Sequence, residues 1–113
     1  MKKTDRERIK KIIGTWDALQ KQLELHHITR EQLLTDEFSQ WAVTTPLYNI
    51  GEQVYQISAE FKQRFPDIPW NMVSGLRHRL VHDYEGINWS IIVSVVFDEM
   101  NDFIDAVQAL IES

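Results

Sequence analysis

Residues 89–111 read WSIIVSVVFDEMNDFIDAVQALI. Trp89, Ile92, Val93, Val96, Met100, Phe103, Ile104, Val107, Leu110 and Ile111 recur there at intervals of three and four, the period of an α-helix and not of a strand. The stripe is wide enough to serve both a core and an interface. Asn88, at the end of the turn Glu85-Gly86-Ile87-Asn88, is a residue type that caps a helix by accepting a backbone N–H.

Outward from this helix the same period returns, and period-2 alternation is absent. Ile9, Ile12, Ile13, Trp16, Leu19 and Leu23 predict a helix from about Thr4 to Glu24. Gly14 lies inside it at a cost of ~1 kcal/mol relative to alanine, which suggests a close helix approach. His26 and His27 read as loop. Thr29 with Gln32 forms a capping box for a short turn through Leu34, and Asp36 can cap the next element. A second long helical region runs from about Glu37 to Arg64. Phe38, Trp41 and Thr45 form its early apolar stripe, and Leu47, Ile50, Val54, Ile57 and Phe61 its later one. Pro46 lacks an N–H and crowds the preceding turn, so a kink or break is expected near Ala42 to Thr45. Gly51 beside Glu52 allows a tight crossing. Phe65-Pro66-Asp67-Ile68-Pro69 is a turn leading to a third long helix, Trp70 to about Asp83. The four tryptophans, Trp16, Trp41, Trp70 and Trp89, read as core or interface anchors. The fold class is therefore all-α: one domain over residues 1–113, an antiparallel up-and-down bundle of four main helices plus a short one.

Composition narrows the function. The chain has no cysteine, so disulfides, thiol nucleophiles and cysteine-bound zinc are excluded. No apolar signal core opens the sequence and no run is long enough to span a membrane; a cytoplasmic protein with no membrane partner is expected. Twelve basic and 17 acidic residues give a net charge of -5, which does not suit a global nucleic-acid clamp. The charge is unevenly spread: residues 1–11 hold six Lys/Arg, whereas residues 83–113 hold seven acids and no Lys or Arg.

Chemistry concentrates in Arg77-His78-Arg79-Leu80-Val81-His82-Asp83-Tyr84. On an ideal helix Val73, Leu76 and Leu80 share a core stripe, with Arg77 and Tyr84 on its edge. His78 and His82 fall on a flank, and Arg77 lies about 140° from His82. One phosphate can touch both only if the helix end distorts or a second copy supplies the opposite side. A guanidinium that holds phosphoryl oxygens and an imidazole that exchanges a proton with a ribose hydroxyl would suit RNA cleavage without a metal. Other readings stand beside it. The pair could be a solvated helix flank, Tyr84 a core-edge aromatic, and Glu52 an ordinary surface carboxylate. His78 and His82 could bind zinc, but no third ligand is evident.

The stretch resembles the R-x(4–6)-H signature of HEPN-domain ribonucleases, in the form Arg77-x4-His82-x-Tyr84. More narrowly, the chain is similar to the HepT-like toxin family, formerly DUF86. Asn49-Ile50-Gly51-Glu52, Phe65-Pro66-Asp67-Ile68-Pro69-Trp70 and Gly75-Leu76-Arg77 match that family's motifs in order, and the resemblance covers almost the whole chain. It implies an all-helical homodimer with the motif helices facing each other. It implies a metal-independent endoribonuclease without cofactor, the toxin of a type VII toxin–antitoxin pair. Arg77 would then be the catalytic phosphate-binding arginine and His82 the catalytic histidine. His78 would support them where the family usually has asparagine. The partner antitoxin would be a minimal nucleotidyltransferase that uses ATP to add AMP to Tyr84. The alternative is a non-catalytic helical binding subunit of a nucleotidyltransferase complex.

Overall fold

Apolar stripes at helical spacing have only each other to bury against, and in the computed structural model, which describes residues 1–81 and 86–112, they close into the expected all-α bundle. Its elements are α1 (Lys3–Leu25), α2 (Arg30–Thr35), α3 (Glu37–Gln56), α4 (Ala59–Arg64), α5 (Trp70–Val81), α6 (Trp89–Ser94) and α7 (Met100–Glu112). A π-helical turn, Val95–Glu99, joins α6 to α7. The four long units are thus α1, α3, α5 and the run from Trp89 to Glu112, and α3 packs against both α1 and α5.

α1 buries Asp5, Ile9, Ile12, Trp16, Leu19 and Leu23. Its end is built by hydrogen bonds from the Ile28 N–H to the Leu23 carbonyl and from the His27 N–H to the Glu24 carbonyl. This is the Schellman arrangement. His27 occupies its left-handed position, with φ of 54°, where a β-carbon costs roughly 1–2 kcal/mol. His27→Gly is expected to stabilise the fold by about 1 kcal/mol, read as a higher urea midpoint at unchanged m. No gain in midpoint would mean that the imidazole contributes more than the strain costs.

Local capping follows the sequence. Thr29 accepts from the Gln32 N–H, Asp36 from the Ser39 N–H and hydroxyl, and Asn88 from the Ile91 N–H. Asp36 has its carboxyl held below the usual carboxylate range, first by the Ser39 hydroxyl and then by the Ser39 N–H.

The second helical region differs from expectation in three ways. It is two helices, because Ile57 is extended and Ser58 begins a new helix by capping the Phe61 N–H. Asp5, buried in α1, accepts from both the N–H and the hydroxyl of Ser58, at 2.9 and 2.7 Å, so a residue far away in sequence fixes the break. Pro46 does not break α3, which is continuous from Glu37 to Gln56. The carbonyl its ring deprives of a donor belongs to exposed Ala42, where water can serve it. Finally, Phe38, Trp41 and Thr45 are not a core stripe. Phe38 is 75% and Trp41 66% exposed; α3 instead buries Ser39, Val43, Leu47, Ile50, Gly51 and Val54. Of the tryptophans, Trp16 and Trp70 are in the core, Trp89 is half-buried against it, and Trp41 is on the outside. Gly14 makes no close approach: a β-carbon there would meet nothing within 4 Å.

Two further contacts orient the last helix and the start of α5. The π turn takes an extra residue, so Val95 and Val96 are both buried and Asp98 meets Arg30 through paired contacts of 3.0 and 2.5 Å. Trp70 packs edge-on to Phe61 and to Phe103, with ring centroids 6.2 and 5.9 Å apart. Its indole N–H donates to the Phe65 carbonyl at 3.0 Å. The turn before α5 is therefore anchored to the core, and α5 leaves it in a fixed direction.

Candidate active site

The site begins at a glycine. Gly51 is buried where α3 meets α5, and a β-carbon added to it would lie 2.8 Å from the Arg77 backbone nitrogen and 3.2 Å from the Val73 carbonyl oxygen. Hydrogen in place of a side chain lets the two backbones touch. Arg77 is thereby set directly beside the next residue of α3, Glu52. Its Nε donates to Glu52 Oε2 at 2.6 Å, and the guanidinium carbon lies 4.1 Å from the centre of the Tyr55 ring. The other carboxylate oxygen of Glu52 accepts from the Gln56 amide at 3.1 Å.

These contacts clamp the guanidinium by one edge and one face. A carboxylate on Nε and an aromatic face beneath fix the plane of an arginine. Among the described residues no hydrogen bond is made by either Nη of Arg77. That end is the planar fork that binds a phosphoryl group bidentately. Both side chains of the pair keep 30% of their surface, so a ligand in solvent can reach them.

Electrostatics hold both partners charged. The Glu52 carboxyl is lowered from its usual range, first by the Gln56 amide and then by Arg77, with a further contribution from the charge of Arg8. Arg77 is raised, chiefly by its hydrogen bond to Glu52. A lowered carboxyl contributes stability that is present above the usual carboxylate range and is lost as pH falls through the lower folded value. The pair is therefore intact throughout neutral pH. On the other side of Glu52, Gln53 accepts from Arg8 Nη1 of α1 at 3.0 Å.

Of the residues singled out in sequence, Arg77 is thus on the α3-facing side of α5 and held by α3. His78 is exposed on the adjoining flank. His82 and Tyr84 lie outside the described residues, as do Asp83 and Glu85; the zinc pair His78/His82 extends beyond them too. The structure adds Glu52, Tyr55, Gln56 and, through Gln53, Arg8. Glu52, on sequence an ordinary surface carboxylate, is the ion-pair partner of Arg77. One sequence signal points to it: an acid immediately after a glycine in a long helix, three residues before a tyrosine.

Comparison with known proteins gives one consistent result. The family described as Ribonuclease HepT-like matches residues 5–110. The inferred RNase MJ0127 of Methanocaldococcus jannaschii is 33% identical over 85 residues, 75% of this chain and 70% of its own length. The inferred RNase TTE0752 of Caldanaerobacter subterraneus subsp. tengcongensis is 28% identical over 85 residues, 75% of this chain and 76% of its own. The inferred ribonuclease HepT of Thermococcus cleftensis is 33% identical over 70 residues, 62% and 64% of the two chains. No solved structure matches.

Proposed function

The chain belongs to the ribonuclease HepT-like family, and from that premise we propose that it is a metal-independent endoribonuclease, the toxin of a toxin–antitoxin pair. The observation that carries the reading is the clamp on Arg77: Nε on Glu52, guanidinium over Tyr55, and, on a side chain that keeps 30% of its surface, an Nη fork with no hydrogen-bond partner among the described residues. Such a fork meets the non-bridging oxygens of a phosphodiester and stabilises the charge that grows on them as the nucleophile attacks. His82 supplies the imidazole that exchanges a proton with the ribose hydroxyl or the leaving oxygen near neutral pH. His78, one residue beyond Arg77, is the supporting residue of the pair.

The protein acts as a homodimer. The outer face of α3 supports this, because Phe38, Trp41 and Tyr55 are 75%, 66% and 54% exposed on it and half-buried Tyr48 lies between them. An aromatic face of that kind is the usual mark of a protein contact. A second copy laid along it would bring two motif helices together, the arrangement that the 140° separation of Arg77 and His82 on an ideal helix asks for.

Regulation is by a cognate minimal nucleotidyltransferase that adds AMP to Tyr84. Tyr84 shares an edge of the ideal helix with Arg77. A phosphate carried there would occupy the guanidinium and exclude RNA. One experiment tests enzyme and switch together. Unmodified protein in EDTA is expected to cleave RNA, and His82→Ala protein to lose about 10²–10⁴-fold in rate. Incubation with ATP, magnesium and the transferase is expected to transfer an adenylyl group from ATP to the Tyr84 hydroxyl with release of pyrophosphate, adding the mass of AMP less water and stopping cleavage, with no mass gain in Tyr84→Phe. A folded, unmodified protein that forms a stable complex with the transferase but cuts no RNA would overturn the enzymatic reading in favour of a non-catalytic binding subunit.

A further inference from the structure

We propose that Arg8 is a second RNA-binding residue, holding a phosphate that neighbours the scissile one on Arg77; this rests on the ribonuclease reading above. The need for it is electrostatic. Arg77 and Glu52 are an ion pair, so their charges cancel, and the chain as a whole carries a net charge of -5. A polyanion gains most of its affinity from uncompensated cations that displace its counterions. A neutral clamp can orient one phosphate but draws in no strand.

The basic residues with described contacts sort themselves by what they touch. Arg30 is paired with Asp98. Arg6 donates to the Ile111 carbonyl at the end of α7. Lys62 donates to the Tyr55 carbonyl, and burial pushes its pKa down. Arg64 lies over the Phe61 and Phe65 rings. Arg79 projects about 160° round α5 from Arg77. Lys62 thus meets only the backbone of Tyr55, whereas Arg8 reaches the residue beside Glu52 from α1: it is half-buried, and its Nη1 donates to the Gln53 side chain.

The partner of that hydrogen bond is an uncharged amide, and among the described residues Arg8 forms no salt bridge, so its positive charge is positioned by a neutral group. Its effect already extends to Glu52, whose carboxyl it helps to keep ionised. Arg77 and Arg8 thus approach adjacent residues of α3 from opposite sides, α5 and α1. Glu52, whose carboxyl feels the charge of both arginines, would repel a phosphate shared between them. A strand crossing the end of α3 meets Arg77 with one phosphate and Arg8 with a neighbour. Lys11 follows Arg8 on the same flank of α1, whereas Lys10 points to the other side, about 200° round from Arg8.

The test is steady-state cleavage of a labelled single-stranded RNA oligonucleotide at several salt concentrations. Binding of the same oligonucleotide to His82→Ala protein gives the salt slope without turnover. Arg8→Ala is expected to raise KM about tenfold, to leave kcat within about twofold, and to reduce the salt slope by about 0.7, one single-strand phosphate contact. Arg8→Lys is expected to restore the slope. Lys10→Ala, which changes net charge equally, is expected to leave KM and slope close to wild type. The proposal is overturned if Arg8→Ala and Lys10→Ala behave alike. It is also overturned if Arg8→Ala lowers kcat with the slope unchanged, because Arg8 would then only support α3 through Gln53. Arg77→Ala separates the two levels: full activity in that variant removes the ribonuclease site, whereas the slopes still report whether Arg8 meets RNA.

Discussion

Arg77→Ala is expected to lower kcat for RNA cleavage by about 10²–10³-fold, the usual cost of removing a donor aimed at the developing oxyanion. KM should change much less, because the surrounding cations that attract the strand remain. The variant should fold, since the side chain it loses is partly solvated and Glu52 keeps its hydrogen bond from Gln56. Arg77→Lys tells charge from geometry. An ammonium restores the positive charge, but it cannot place a donor on Glu52, lie flat on Tyr55 and present a two-pronged end at once. Lysine should therefore recover only a small part of the loss. Cleavage by folded Arg77→Ala protein at the wild-type rate would remove Arg77 from the active site. The pH dependence adds a constraint. Arg77 is raised chiefly by Glu52, and Glu52 is lowered first by the Gln56 amide and then by Arg77, so neither changes charge near neutrality. A limb in the pH–rate profile between about pH 5 and 8 then belongs to an imidazole.

How far this arrangement is legible in the sequence depends on the element. The first and last helices are legible because one apolar stripe dominates each, and the observed core positions Ile9, Ile12, Trp16, Leu19 and Leu23 all belong to the expected pattern. α3 is harder because two stripes interleave at helical spacing. Ser39, Val43, Leu47, Ile50 and Val54 face the core, while Phe38, Trp41, Tyr48 and Tyr55 run along the outside. Large aromatics outweigh serine and valine in any count of hydrophobicity, so the outer stripe passes for the inner one at its start. The division at Ser58 is hidden for a different reason. Ile57 and Phe61 keep four-residue spacing across it, and the hydrogen bonds that break the helix come from Asp5. Glu52 and Arg77 are likewise far apart in sequence. Local pattern marks each as polar and gives no means of pairing them, because the pairing is made by the contact of α3 with α5.

That contact makes Gly51→Ala the substitution with the largest expected effect on the fold, a loss of about 2 kcal/mol. In an open helix the same change gains ~1 kcal/mol, so its sign depends on the neighbours. The new β-carbon would sit 2.8 Å from a backbone nitrogen and 3.2 Å from a backbone oxygen. Neither is a flexible side-chain end, and α5 as a whole must move to relieve the crowding. Inserting a methylene-sized group into a packed contact typically costs about 1–3 kcal/mol. Gly14→Ala is the internal control, with nothing within 4 Å of its added carbon. It should gain ~1 kcal/mol by helix propensity, and urea unfolding should displace the two midpoints in opposite directions. Gly51→Ala should also reduce cleavage more than its stability loss explains. Moving α5 away from α3 draws Arg77 Nε off Glu52 and the guanidinium off Tyr55, and a misplacement of about 1 Å can cost roughly a hundredfold in rate. A Gly51→Ala protein with a raised midpoint, or one that is destabilised but fully active, would show that the close approach of α3 to α5 does not set the catalytic arginine.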